Sequence, residues 1–418
     1  MTKEWYQGFY KRSIAQRYQL LQEHLGLTAE QCQLLFSQSD SLSSQLIENY
    51  LTDYYLPEGL AVGLVVNGQN YTLPMVVEEP SVVAAASNGA QRIAKSGGFE
   101  AHPGGRKVIG QVVLEQVENY DQCRQWIFDH QATILQVANQ AHPSLQKRGA
   151  GAIELRVRRI EPFISVDLVI DVSQAMGANS VNTMAEAVGQ WFQKQGYQVL
   201  TAILSNYAVD SLQTVTGKVH VRDLGTIDQN GRQVAEKIVQ LSQLAQVDPY
   251  RAATHNKGIM NGIDAAVIAS GNDWRAIESG AHAYASRDGH YRGLSQWHLE
   301  KDYLVGQLTL PMPVGVVGGS IKLLPQSQIN YQISHIQTAE ELAGVIASVG
   351  LAQNLAALRA LGSTGIQAGH MKLQYRSLAI SVGTKEDEIA GLVQALIASP
   401  RVDTQVATKL LEELRGKK

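Results

Sequence analysis

Between residues 107 and 206 the 418-residue chain alternates in a way few folds can accommodate. "KVIGQVVLEQV" (107–117) reads as a strand, 121–141 as a helix, and "AIELRVRRI" (152–160) and "ISVDLVIDV" (164–172) as two strands. A helix over about 175–195 and the strand "QVLTAILSN" (198–206) close the set. The order β-α-β-β-α-β is the split βαβ of ferredoxin-like domains. It occupies about 100 residues, a natural size for a small domain inserted in a larger one.

The flanks have a different character. Residues 1–58 read as polar helices, with Thr28 and Gln31 as a capping box. "AVGLVVNGQNYTLPMVV" (61–77) reads as a hairpin turning at Asn67-Gly68. A helix is expected between Pro80 and the pair Gly97 and Gly98. Beyond residue 207 helical patterns occupy 231–247, 254–270 and a long stretch from Thr338, which forms a second capping box with Glu341. Residues 290–320 look extended, and "GSTGIQAGH" (362–370) is a glycine-containing hinge before a short helical tail.

Composition narrows the function. Charged residues make up 17% and hydrophobic residues 44%, as in an ordinary globule. The net charge of −3 is spread without long runs, which argues against a general binder of nucleic acid or anionic membrane. An RNA-binding ferredoxin-like module needs aromatic residues on its sheet, and the strands at 107–117 and 152–160 carry none. Two cysteines, Cys32 and Cys123, fit a reducing compartment. With no signal-peptide pattern and no apolar run near the roughly 20 residues of a membrane span, the expectation is a cytoplasmic protein.

Three stretches could carry chemistry. "QAMGANSVNTMAEAV" (174–188) starts a helix with Gly177, Asn179 and Asn182. Such a start can hold phosphate on free N–H groups, though packing and capping alone would explain the same residues. In "DPYRAATHNKGIMNGIDA", Lys257, Asn261 and Asp264 share one helix face, with Arg251 preceding them. A lysine there is either a surface residue or a buried cation whose counter-charge would be Asp264 or Asp273. His370 follows the glycine hinge, where a mobile acid/base group could complete a site. Glu78 and Glu79 precede Pro80 and suit a helix N-terminus.

Together, "EEPSVVAAAS", "AMGANSVNTMAEA", "DPYRAATHNKGIMNGIDA", "GNDWRAIESGAHAYASRDGHY", "LPMPVGVVGGS" and "GHMKLQ" stand in an order that resembles the class II, soluble bacterial 3-hydroxy-3-methylglutaryl-CoA reductases, over nearly the whole chain. The resemblance implies a four-electron reduction of the thioester to mevalonate and CoA. It implies Lys257 at the carbonyl oxygen, Glu79 as proton donor favoured by burial, Asp273 bonded to both, and His370 protonating the CoA thiolate. It further implies Ser81, Arg251, Asn261 and Asn354 in the substrate pocket, and Met176, Gly177, Asn179 and Asn206 at the dinucleotide.

The fold implied is α+β. A large, mostly helical CoA-ester domain (1–105 and 208–366) is interrupted by the ferredoxin-like cofactor domain (106–207) and followed by a C-terminal flap (367–418). A homodimer with the site at the subunit interface is implied as well, with Glu48 and Asn49 in a matching interface segment. Two departures stand out. Gln174 replaces the usual acid, and His142 stands where NAD-using relatives carry an aspartate. With Lys147 and Arg148 nearby, His142 would attract a 2′-phosphate, which favours NADPH over NADH. A catabolic NAD-dependent mevalonate dehydrogenase and a non-catalytic CoA-ester binder are the alternatives; all four catalytic-type residues are present, which disfavours the second.

Overall fold

The computed structural model describes residues 4–226, 229–319, 321–363 and 375–416. They fall into two compact units, Met1–Pro57 and Glu58–Lys418. In the first, α1 (Ile14–Leu25) and α2 (Ala29–Ser37) each begin with a reciprocal capping box, Ser13 with Gln16 and Thr28 with Gln31. A short α3 (Ser43–Leu46) precedes Glu48 and Asn49, which are exposed. Buried Arg17 holds this unit together by donating to the carbonyls of Tyr10, Arg12 and Tyr50.

The second unit has two sheets and two cores. The larger sheet has the order β2-β1-β3-β8-β10-β9. Its strands are β1 (Glu58–Val66), β2 (Gln69–Val76), β3 (Phe99–Pro103), β8 (Leu212–His220), β9 (Ser295–Glu300) and β10 (Tyr303–Pro311). The expected hairpin forms β1–β2, with Asn67 and Gly68 both at positive φ (49° and 78°), as its two-residue turn requires. On this sheet pack α4 (Val82–Ala94), α9 (Gly231–Val247), α10 (Pro249–Ala269), α11 (Trp274–Ala285), α12 (Pro325–Ser334) and α13 (Ala339–Gly362). The large domain is thus organised around a sheet, and β3 and β8, absent from the sequence reading, are its central strands.

Helix α13 also corrects the reading of apolar runs. By length and composition it could cross a membrane, but 83% of its apolar stretch is buried inside the fold. It is the core helix. Small residues let its neighbours approach closely: a Cβ on Gly89 of α4 would stand 2.0 Å from the Ala352 carbonyl oxygen.

The smaller sheet comprises β4 (Lys107–Glu115), β5 (Gly151–Ile160), β6 (Phe163–Asp171) and β7 (Gln198–Ser205). Its order β5-β6-β4-β7, antiparallel throughout, is that of the ferredoxin-like fold. The expected helix at 121–141 is broken at His130 into α5 (Tyr120–Asp129) and α6 (Gln131–Ala141), followed by α7 (Pro143–Gln146). These and α8 (Ala178–Lys194) enclose a separate apolar core with Phe192 and Met184 at its centre. Further along the chain, the helices Ile389–Ala398 and Thr404–Gly416 share a small cluster of their own.

Candidate active site

Helix α10 begins earlier than its periodicity suggests. Pro249 occupies the first turn, and the Asp248 carboxylate accepts from the backbone N–H groups of Tyr250 and Arg251 at 3.1 and 3.2 Å. Two turns on, Lys257 projects from the surface with 64% of its side chain exposed. It is not a buried cation. Its Nζ lies 3.1 Å from Oε2 of Glu79, and Ser81 Oγ donates to the other oxygen of Glu79 at 3.2 Å. Glu79 is itself 36% exposed and ion-paired rather than buried away from charge. The pair joins α10 to the turn that opens α4, where Val82 N–H donates to the Glu79 carbonyl.

Neither aspartate proposed as the counter-charge of Lys257 has that role in the chain. Asp264 is buried towards Glu278 on α11, and burial, with Glu278 second, raises its pKa far above the carboxylate range, so it holds a proton. Glu278 stays ionised because His282 lies 2.6 Å away. Asp273 caps α11, accepting from the N–H groups of Arg275 and Ala276, and pairs with the Arg275 guanidinium at 3.1 Å. Its neighbour Asn272 bonds through N–H to the Val267 carbonyl. Val267 is ten residues beyond Lys257, about 15 Å along a helix axis. Asp273 therefore does not join the Lys257–Glu79 network within one chain.

Arg251 and His255 face another side of α10. The Arg251 Nε is buried without a partner, and burial lowers its pKa. His255 is 1% exposed; desolvation chiefly, and the Arg251 charge secondarily, push its pKa down to about 3. Its Nε2 lies 2.7 Å from Ser295 Oγ, which donates to Asn354 Oδ1 at 2.8 Å. Trp297 Nε1 donates to the same oxygen at 2.7 Å. Asn354 is thus an enclosed residue, 1% exposed, whose link towards Arg251 runs through His255. Asn261, one turn beyond Lys257, is half-buried on the Lys257 face.

The dinucleotide-type residues gather elsewhere. A cleft of about 380 Å³ is lined by Met176, Gly177, Asn179 and Ser180 on one side and Asn272, Asp273 and Arg275 on the other. Gly177 is the N-cap of the 17-residue α8, at φ 91°. A Cβ there would sit 2.2 Å from Val172 Cγ1, so the chain's own packing requires this glycine, apart from any ligand. The α8 amides open on the cleft, the donor set a pyrophosphate needs. His142 stands beside them: Nε2 lies 3.1 Å from Ser180 Oγ and Nδ1 3.2 Å from Ser144 Oγ. Lys147 and Arg148 follow α7 and are exposed, as is Asn206 at the end of β7. The start of α8 and the cleft it opens on fit a dinucleotide; His142, Lys147, Arg148 and Asn206 lie outside the lining of that cleft.

Asn182 has a structural role. Its Oδ1 accepts from Leu204 N–H and ties α8 to β7. Sequence reasoning passed over Arg275, Ser180 and Asn272, the last of which exchanges two hydrogen bonds with the backbone of Gly315. For Asn272 and Arg275 the signal was present in "SGNDWRAIES", where only Asp273 is weighed; Ser180 lies in "QAMGANSVNTMAEAV" beside Asn179. His370 lies outside the described residues.

Residues 13–375 match the family model for hydroxymethylglutaryl-coenzyme A reductase. The chain belongs to that family. Its activity is accordingly the NAD(P)H-dependent reduction that defines hydroxymethylglutaryl-CoA reductases. It is 40% identical over 417 residues to the 3-hydroxy-3-methylglutaryl-coenzyme A reductase of Archaeoglobus fulgidus, covering 98% of this chain and 94% of that one. It is 32% identical to a probable reductase of Borreliella burgdorferi, covering 90% and 87%. Among solved structures, the class II reductase of Streptococcus pneumoniae, bound to NADPH in open conformations, matches with TM-score 0.76 and 49% identity, covering 97% of this chain and 100% of that one. The α+β architecture of this reductase, with its ferredoxin-like insert, agrees with that neighbour.

Proposed function

We propose that the protein reduces 3-hydroxy-3-methylglutaryl-CoA to mevalonate and CoA in the mevalonate route to isoprenoids, with NADPH as the reductant. The reading rests above all on the Lys257–Glu79 pair, a cation and a carboxylate 3.1 Å apart with Ser81 behind them. Each reduction step builds negative charge on a carbonyl oxygen, and a fixed ammonium is worth most there. Two reduced dinucleotides, held in turn by the α8 cleft, would each supply one hydride, the first to the thioester and the second, after exchange of the oxidised product, to the aldehyde. Lys257 holds the oxygen, Glu79 protonates it, and His370 protonates the departing CoA thiolate. Arg251, whose Nε has no partner, clamps the glutaryl carboxylate; Asn261 lines the pocket, and Asn354 braces it through His255.

The choice of NADPH is supported by His142 against Ser180, with the exposed Lys147 and Arg148 five and six positions on in the chain, which together would offer a cationic corner to a 2′-phosphate. The neighbour from Streptococcus pneumoniae was solved with NADPH. We assign the CoA-ester domain to 1–105 and 208–366, the dinucleotide domain to 106–207 and the flap to 367–418. The reaction draws on the cytoplasmic supply of reduced dinucleotide, where the protein would work. The working form is a homodimer: Asp273 and the cleft of one subunit meet Lys257 and Glu79 of the other. The separation of Lys257 from Asp273 within one chain supports this.

The test is loss of reduced-dinucleotide absorbance with purified protein and 3-hydroxy-3-methylglutaryl-CoA, NADPH beside NADH. Turnover preferring NADPH is expected. Turnover with NADH alone would overturn the cationic-corner reading and favour the catabolic direction; turnover with neither would refute the reductase. Mixing inactive Lys257→Ala and Asp273→Ala subunits should restore part of the activity, and no restoration would refute the shared site.

A further inference from the structure

Gln174 stands three residues before Gly177, yet its side chain reaches a different part of the molecule. Its Oε1 accepts from the Ala339 N–H at 2.7 Å, one of the four amides that the start of α13 leaves unpaired. Its Nε2 donates to Glu340 Oε2 at 3.1 Å, and its backbone carbonyl accepts from Val316 N–H at 2.9 Å. Arg106 reinforces the same loop, donating to the carbonyls of Ser173 and Ala175 and to that of Val314. Three residues span at most about 11 Å of chain. Anchoring Gln174 on α13 therefore fixes where Gly177 and the first amides of α8 can stand.

The chemistry of the side chain matters as much as its position. The contact asks for an acceptor towards Ala339 and a donor towards Glu340 at once, which a carboxamide satisfies and a carboxylate does not. We infer that Gln174 is a positioning residue for dinucleotide binding, its neutral amide docking the α8 loop on the start of α13. This rests on the α8 cleft being the dinucleotide site. With an acid at 174, two carboxylates would face each other, with Arg106 the cation acting on Glu340 and on nearby Asp171. The loop would separate from α13, and its ordering would then be paid on binding.

The experiment is a titration of NADPH fluorescence against the full-length protein without acyl-CoA, for wild type, Gln174→Glu, Glu340→Gln and the double variant, with the unfolding temperature of each. Gln174→Glu should weaken NADPH binding on the order of tenfold, about 1.4 kcal/mol, with little change in unfolding temperature. In steady state it should raise KM for NADPH more than it lowers kcat. Glu340→Gln alone should bind like wild type. The double variant should recover, because the new amide at 340 donates to the carboxylate at 174. Wild-type binding by Gln174→Glu, or no recovery in the double variant, would overturn the inference while leaving the dinucleotide site in place. No binding by wild type would overturn both.

Discussion

His255 offers a measurement whose sign and size follow from burial. Folded, it is a neutral imidazole with its pKa pushed down to about 3; unfolded, it titrates near 6.5. Above pH 6.5 both states are neutral and the residue contributes no pH dependence. Below it, the unfolded chain takes up a proton that the folded protein refuses, so stability falls, saturating only near pH 3. Between pH 7.5 and pH 5 the loss amounts to about 2 kcal/mol. His255→Gln forfeits the contacts to Ser295 and Asn354 and should be less stable at pH 7.5. It lacks the titration, however, so the gap between wild type and variant should narrow by about 2 kcal/mol as pH falls to 5. For the unit from Glu58 to Lys418 that is roughly 3 °C in unfolding temperature. Scanning calorimetry of both proteins at four pH values reads it, and the other titrating groups cancel in the difference. A gap constant from pH 7.5 to 5 would refute the buried, neutral histidine.

Lys257→Ala should lower kcat by on the order of 10²–10³ while moving stability by less than about 1 kcal/mol, since the pair it leaves is largely exposed; turnover and unfolding temperature measured together separate the two. His142→Asp should shift the ratio of kcat/KM values towards NADH, and an unchanged ratio would remove His142 from the 2′-phosphate site. Gly177→Ala should destabilise the loop by about 1–2 kcal/mol from the positive φ alone, with the Val172 clash added; set against Val172→Ala by itself, whose buried side chain leaves a cavity, the same glycine change should cost only the φ term, read by NADPH affinity and unfolding temperature.

The ferredoxin-like insert was legible because each element advertises itself: β6 is rich in β-branched and apolar residues and buried along 164–170, with Ser165 and Asp167 the polar exceptions, and α8 has a clear apolar stripe. The β1–β2 hairpin needed only Asn67-Gly68 between two apolar runs. By contrast β8 buries Gln213, Val215, Gly217 and Val219, and a glycine and a glutamine among the inward set dilute the alternation. β3 is five residues long and includes His102 and Pro103. The start of α10 was missed because Asp248 and Pro249 define it, and neither belongs to an apolar periodicity. At the site, residue types were readable but partners were not. The pairing of Lys257 with Glu79 crosses 178 positions, and the preference of Asp264 for Glu278 depends on how α11 turns back on α10.

The burial of α13 also has a consequence in time. This helix packs against α4, α9, α10 and β8, yet its first residue is Ala339 of 418. On a ribosome, residues 107–206 carry everything their own core needs and can close early. The hairpin and α4, made before them, must wait with apolar faces uncovered until some 360 residues have been polymerised. The first-made part of the large domain is completed by nearly the last-made helix, so synthesis and folding of that domain run in opposite order.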